Sequence, residues 1–206
     1  MRIFDIVAFL LLISFSYQQK YVPKIQVYIE SLCPDCMNFL LKSFKSFYEN
    51  VNNPNLAEIE FITYGNAKES YNTTMNQWEF TCQHGENECY GNLIETCAIQ
   101  TMGRINSYPA LLCIESNIEE YELDFDRTIE YCFEKDQDTL AKIKECVNSD
   151  MGNIYMHQMA QKTDTNHKWV PWIVVDGVHD IDVENRIIES LTDYLCGDDQ
   201  SKCFGN

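Results

Sequence analysis

Ten cysteines in a chain of 206 residues constrain this sequence more than any other feature. Ten free thiols would be a liability in a reducing cytosol, whereas in an oxidising compartment they build a covalent framework. The first residues decide between the two. Arg2 precedes an apolar run from Ile3 to Phe15, broken only by Asp5 and Ser14. The run is shorter than the roughly 20 residues that span a bilayer. It fits the apolar region of a secretory signal peptide, with Ser14 and Ser16 as the small residues before a cut after Ser16. The bland alternative is a buried N-terminal strand or helix. We read residues 1–16 as a signal peptide and 17–206 as one domain, lumenal or extracellular, with no membrane insertion.

Composition narrows the function. The chain has 15 Lys+Arg against 32 Asp+Glu, a net charge of −17, so its surface repels nucleic acid and anionic lipid. Its 45% hydrophobic content is enough for a packed core and excludes a wholly disordered chain. The sequon Asn72-Thr73-Thr74 behind a signal peptide makes Asn72 a candidate glycosylation site and predicts a surface segment there.

Periodicity gives the order of elements. Ile25, Val27 and Ile29 alternate within 24–30, as in a strand. After the segment SLCPDC, residues Met37, Leu40, Leu41, Phe44, Phe47 and Tyr48 fall on one helical stripe. Asn52-Asn53-Pro54-Asn55 stops that helix, and 57–64 forms a second strand with Ile59 and Phe61 on one face. Strand, helix, strand over this length predicts a βαβ unit with parallel strands. From about 66 to 160 the chain holds six cysteines and helical stretches at 91–102, 124–134 and 137–148, read as a helical insertion. A strand over 169–175, the turn Asp176-Gly177, a short strand near 178–181 and a helix over 182–195 complete the chain.

The chemistry sits at Cys33-Pro34-Asp35-Cys36, between the first strand and the first helix. Thiol–disulfide exchange requires a thiolate, and at pH 5 only about 3 in 10,000 thiols of ordinary pKa are ionised. A helix N-terminus favours the anion through its unpaired N–H groups. Two intervening residues bring the second sulfur within reach of a mixed disulfide on the first. Cys33 is therefore expected to be the exposed attacking thiol and Cys36 the resolving thiol. Asp35 should oppose thiolate formation, and Pro34 removes one N–H, so the pair should lean reducing. Thioredoxin-like proteins set a cis-proline loop against such a pair, and Val170-Pro171 is its candidate here; a trans proline opening a strand is the alternative. The competing readings of the CxxC are a static disulfide or a zinc site completed by Cys82, His84 and Cys89. The fold class expected is α/β, a thioredoxin-like βαβ…ββα sheet with a disulfide-rich helical insertion.

One further segment is specific. Cys82-Gln83-His84-Gly85-Glu86-Asn87-Glu88-Cys89-Tyr90-Gly91-Asn92, with Cys97 after four more residues, resembles the signature of the gamma-interferon-inducible lysosomal thiol reductase family. Tyr64-Gly65-Asn66-Ala67, Trp78-Glu79-Phe80, Met156-His157, Gln161-Lys162-Thr163-Asp164 and Val170-Pro171-Trp172 resemble the same family in the same order, so the likeness covers roughly 24–203. The resemblance implies a thioredoxin-like fold with a helical insertion and reduction of protein disulfides at acidic pH in endosomes and lysosomes. It carries the nucleophile onto Cys33 and the resolving thiol onto Cys36. Members of that family often lose a C-terminal extension on maturation; with three residues after Cys203 here, little is expected to be lost. The signature itself reads as scaffold, with an approach of His84 to the active pair as the alternative. His157, His167 and His179 default to core or surface.

Eight cysteines remain: Cys82, Cys89, Cys97, Cys113, Cys132, Cys146, Cys196 and Cys203. They can form four disulfides in any of 105 pairings, among which only Cys196 with Cys203 suggests itself as a local loop. The leading function is thus a disulfide reductase acting on protein substrates, without a bound cofactor, re-reduced by an external small thiol. Its destination is the lysosome or endosome lumen, or secretion. A secretory-pathway oxidase or isomerase has the same parts and the opposite electron flow. A secreted, disulfide-stapled binding module with an idle CxxC is the non-enzyme alternative.

Overall fold

A computed structural model describes residues 21–51, 53, 55–197 and 201–204. The signal peptide expected at 1–16 lies outside them. Strand β1 (Lys24–Ile29) is the centre of a three-stranded sheet, with β2 (Glu58–Thr63) parallel on one side. Helix α1 connects them through three continuous stretches, Pro34–Asn38, a π-helical Phe39–Phe44 and Lys45–Asn50. The predicted βαβ unit is therefore present. Its buried face follows the apolar stripe: Phe39, Leu40, Phe44 and Phe47 pack with Ile25, Val27, Ile59 and Phe61 in one core. Removing side chains of this size from water is the main stabilising term of the unit.

The third strand, β5 (Trp172–Val175), lies antiparallel to β1 with Ile173 opposite Val27. It is shorter than the predicted 169–175. The predicted strand near 178–181 is reduced to a single bridge between Val175 and Val178. Asp176 and Gly177 do form the turn, both with positive φ. Asp180 then caps helix α7 (Ile181–Glu189) by accepting from the N–H groups of Asp182 and Val183, so the chain leaves the sheet before a second strand can grow. The C-terminal part is thus βα rather than ββα. The single helix expected over 182–195 is divided at Ser190, which has extended φ and ψ and caps α8 (Leu191–Cys196) through Asp193 N–H. A last turn, α9, covers Ser201–Phe204.

Between β2 and β5 lie a hairpin and five helices. The helices are α2 (Glu86–Met102), α3 (Tyr108–Asn117), α4 (Phe125–Cys132), α5 (Gln137–Val147) and α6 (Asp150–Lys162). They enclose a second core built on Ile94, Leu111's neighbour Ala110, Ile114, Ile118, Ile129 and Ile143. The hairpin, β3 (Lys68–Asn72) with β4 (Gln77–Thr81), was not predicted. None of its strand residues is fully buried, β3 carries no apolar alternation, and in β4 the alternation is limited to Trp78 and Phe80. It is held from outside: Asn153 on α6 accepts from Trp78 N–H at 2.9 Å and donates to Trp78 O at 2.7 Å, while His157 stacks on the Trp78 ring at 3.8 Å. Asn72 sits at the end of β3 beside the exposed Thr73 and Thr74, so the sequon is on the surface.

Cys82–Cys89, Cys97–Cys146, Cys113–Cys132 and Cys196–Cys203 are disulfides, and Cys33 and Cys36 are free. Among the described residues, no helix is long and apolar enough to cross a membrane.

Candidate active site

Leu32, with φ of 65°, turns the chain from the end of β1 into Cys33, which caps α1. Pro34 occupies the first helical position, where its missing N–H costs nothing. The Cys33 Sγ accepts from Cys36 N–H at 3.4 Å and lies 3.8 Å from Val170 O, which accepts from the thiol. Val170 belongs to the predicted loop, and the Val170–Pro171 peptide bond is cis. Cys33, Cys36 and Pro171 therefore meet at one place.

The two thiols are unlike. A hydrogen bond from the Cys36 thiol lowers the Cys33 pKa; burial opposes it, the N–H groups of Cys36 and Asp35 add to it, and the net shift is downward. Burial pushes Cys36 well above its ordinary value, and the neighbouring Cys33 adds to that. Two expectations need correction. Cys33 is only 6% exposed, against 1% for Cys36, because the Val170–Pro171 loop lies over it. The carboxylate that opposes the Cys33 thiolate is not Asp35, whose backbone N–H favours the anion, but the buried Glu30.

Glu30 directly follows β1, three residues before Cys33, and is 1% exposed. Its Oε2 accepts from Asn66 N–H at 2.7 Å and its Oε1 from Gln83 Nε2 at 2.6 Å. A Cβ on Gly65, whose φ is +57°, would overlap the Glu30 carboxylate. Burial raises the Glu30 pKa, the bond from Asn66 N–H lowers it, and the Glu88 charge raises it again. His84 lies beside this carboxylate, with Nδ1 2.8 Å from Glu88 Oε2 and 3.8 Å from Glu30 Oε1. One residue further along, Ser31 N–H donates to Asn92 Oδ1 at 2.7 Å, and a side chain on Gly91 would overlap Phe125 and Ser31. Gln83, His84, Gly91 and Asn92 therefore all end on residues 30–31.

Glu30, His84 and Glu88 could converge on a cation, their ligand atoms lying within 4.8 Å of one another. Glu30 Oε1 accepts from Gln83 and Glu88 Oε2 accepts from His84 N–H at 2.6 Å, so these oxygens already belong to a hydrogen-bond network, while Glu88 Oε1 is buried without a hydrogen bond among the described residues. The zinc alternative for the CxxC loses Cys82 and Cys89, which are bonded to each other. The remaining histidines are also partnered. His157 pairs with Glu69 at 2.9 Å, and His167 Nε2 is 3.1 Å from Asn66 Oδ1. His179 Nδ1 is 3.0 Å from Ile173 O.

Sequence reasoning missed Glu30, and it placed Asn92 only within a scaffold signature, without its contact to Ser31. Glu30 looks like the solvated end of a strand, and the residues that bury it are 36 and 53 positions away. The glycines were the available signal, since Gly65 and Gly91 stand where a side chain would collide with residues 30 and 31.

A family model described as Gamma interferon inducible lysosomal thiol reductase (GILT) matches residues 24–136. The chain is 34% identical to the gamma-interferon-inducible lysosomal thiol reductase of Carassius auratus, over 84% of this chain and 66% of that protein. It is 31% identical to the mouse protein of the same name, over 74% of this chain and 60% of the relative. The Anopheles gambiae protein named gamma-interferon-inducible lysosomal thiol reductase-like is 31% identical over 87% of this chain and 78% of its own length. The chain thus spans slightly less than two thirds of the goldfish and mouse proteins.

Proposed function

The chain belongs to the gamma interferon inducible lysosomal thiol reductase family, and from that premise we propose that it reduces disulfide bonds in protein substrates, in the acidic lumen of endosomes or lysosomes. The observation that carries this reading is the asymmetry of the CxxC pair. Cys33 has hydrogen bonds that favour its anion, and Cys36 is buried and held as a thiol.

In the reaction the Cys33 thiolate attacks one sulfur of a substrate disulfide. The substrate S–S bond breaks, one substrate thiolate leaves, and Cys33 is joined to the other sulfur. Cys36 then gives up its proton and attacks Cys33 Sγ, releasing the second substrate thiol and closing Cys33–Cys36. The substrate gains two electrons and the pair loses two. Two equivalents of an external small thiol, of the cysteine or glutathione class, return them. Pro171 acts in docking: its loop presents backbone beside Cys33 for an extended substrate segment. The four structural disulfides suit a protease-rich lumen because they restrict the unfolded chain. Asn72 is the site proposed for a glycan.

The test is trapping at pH 5 with a denatured, disulfide-containing protein. Cys36→Ser should accumulate a mixed disulfide on Cys33, and Cys33→Ser should give none and lose turnover. Turnover by Cys33→Ser equal to that of the unmodified protein would refute the assignment.

A further inference from the structure

The loop that faces Cys33 is tied at both ends to one side chain. Glu184, in the first turn of α7, is 1% exposed. Its Oε1 accepts from Trp169 Nε1–H at 2.7 Å, and its Oε2 accepts from Ile173 N–H at 2.8 Å. Trp169 stands just before Val170-Pro171 and Ile173 just after Trp172, so a single carboxylate spans the loop. His179 completes the arrangement. Its Nδ1 lies 3.0 Å from Ile173 O and 3.5 Å from Glu184 Oε2, and its ring stacks on Trp172 at 3.4 Å.

Two features separate this from ordinary packing. First, Trp169 leaves 44% of its surface in solvent, so the bond to Glu184 orients a half-open ring beside the loop rather than filling the core. Second, the donors converge on both oxygens of the same carboxylate. An amide in its place offers one acceptor oxygen, and its NH2 would confront the other N–H. Charge-assisted bonds of this kind are stronger than neutral ones, and a buried donor left without an acceptor is costly.

We propose that Glu184 is a positioning residue for disulfide exchange: by holding Trp169 and Ile173 it fixes the Val170–Pro171 loop against Cys33, at the spacing a substrate segment needs to dock. Glu184 touches none of the reacting atoms. The inference rests on the thiol reductase reading for its kinetic consequence, but not for the geometry of the tie.

The experiment compares the unmodified protein with Glu184→Gln and Trp169→Phe. One arm measures steady-state reduction of a denatured disulfide-bearing protein, and the other measures amide hydrogen exchange at Ile173. Glu184→Gln should raise KM about tenfold, with the loss carried by KM rather than kcat, and should speed Ile173 exchange about tenfold. Trp169→Phe removes one donor from a half-exposed ring, leaves the fold safe, and should raise KM about threefold. The proposal is overturned if KM stays within about twofold in both variants, or if the loss falls on kcat while Ile173 exchange is unaltered. Absence of turnover in the unmodified protein would sink the reductase reading instead. In that case Ile173 exchange alone decides the tie, faster exchange in Glu184→Gln supporting it and unaltered exchange refuting it.

Discussion

The helical region contains a buried acid pair whose protonation should set the pH at which the protein is stable. Glu95 on α2 and Glu115 on α3 are 0% and 2% exposed. Burial pushes both carboxyls up, and for Glu95 the Glu115 carboxyl adds to the rise; Ser31 is the one other group acting on it, and it favours the anion. If both were ionised, the Ser31 hydroxyl would be the donor facing Glu95 and Glu115 Oε2 would have none among the described residues, whereas a shared proton supplies one between the two carboxyls. A folded-state pKa above the unfolded value of about 4.3 makes the contribution complete below that pH and lost as pH rises through the folded value. An uncompensated buried charge costs on the order of 3 kcal/mol. For a chain of this size that is about 6–12 °C in Tm. The assay is thermal unfolding by circular dichroism from about pH 4.5 to 7.5, on the unmodified protein and on Glu115→Gln. The variant removes the like charge and provides an amide donor, so its Tm should fall less across that window, by roughly the amount above. Glu30, also raised by burial, acts in the same direction in both proteins. In Glu60 burial is outweighed by Lys162 and Lys24, and it acts oppositely in both. The difference between the two curves therefore isolates the pair. Parallel curves would refute the shared-proton argument.

Three further outcomes follow from the site. Iodoacetamide should label Cys33 well before Cys36, and Glu30→Gln should speed that labelling and lower the Cys33 thiol further, read by thiolate absorbance against pH; a slower reaction would contradict the role given to the Glu30 charge. Gly65→Ala should cost about 1–3 kcal/mol in urea unfolding, because a side chain there meets both a left-handed φ and the Glu30 carboxylate. Mild reduction followed by mass mapping should leave Cys82–Cys89, Cys97–Cys146, Cys113–Cys132 and Cys196–Cys203 closed, and any of them opening before an oxidised Cys33–Cys36 pair would count against their structural role.

What the sequence made legible was the part stabilised by its own periodicity. In β1, α1 and β2 the apolar residues repeat at two or at three and four, and each element buries the face its pattern predicts. In the hairpin β3–β4 the pattern shrinks to Trp78 and Phe80 on one strand, and much of its order comes from Asn153 and His157 on a helix about 75 residues later. Helix α6 is hard to read for a similar reason: Gly152, Met156 and Met159 are its buried positions, while Met151 and Ile154 are exposed, so its apolar residues do not fall on one clean stripe. At 178–181 a turn signal and a helix cap compete for the same few residues, and Asp180 settles the contest by satisfying two helical N–H groups. The chemistry of the CxxC was legible from spacing, but its burial was not. That depends on where a loop 137 residues away returns to the sheet.

The signature around Cys82–Asn92 contains neither thiol of the CxxC pair, yet its residues end beside the segment that leads into it. Gln83 and His84 meet Glu30, while Asn92 and Gly91 meet Ser31, so the helical region grips the end of β1 just before the chain turns at Leu32. The net charge of −17 and the buried Glu30 both oppose an anion at Cys33. What opposes them is short-ranged: the Cys36 thiol and the N–H groups of residues 35 and 36, each effective only while Sγ stays in the cap position. The 3.4 Å hydrogen bond from Cys36 N–H to Cys33 Sγ depends on the backbone that leaves residues 30–32 and enters the helix. The hydrogen bonds that favour an anion at Cys33 are thus reached from the helical region through residues 30–32, which gives the distant signature a physical reason to sit where it does.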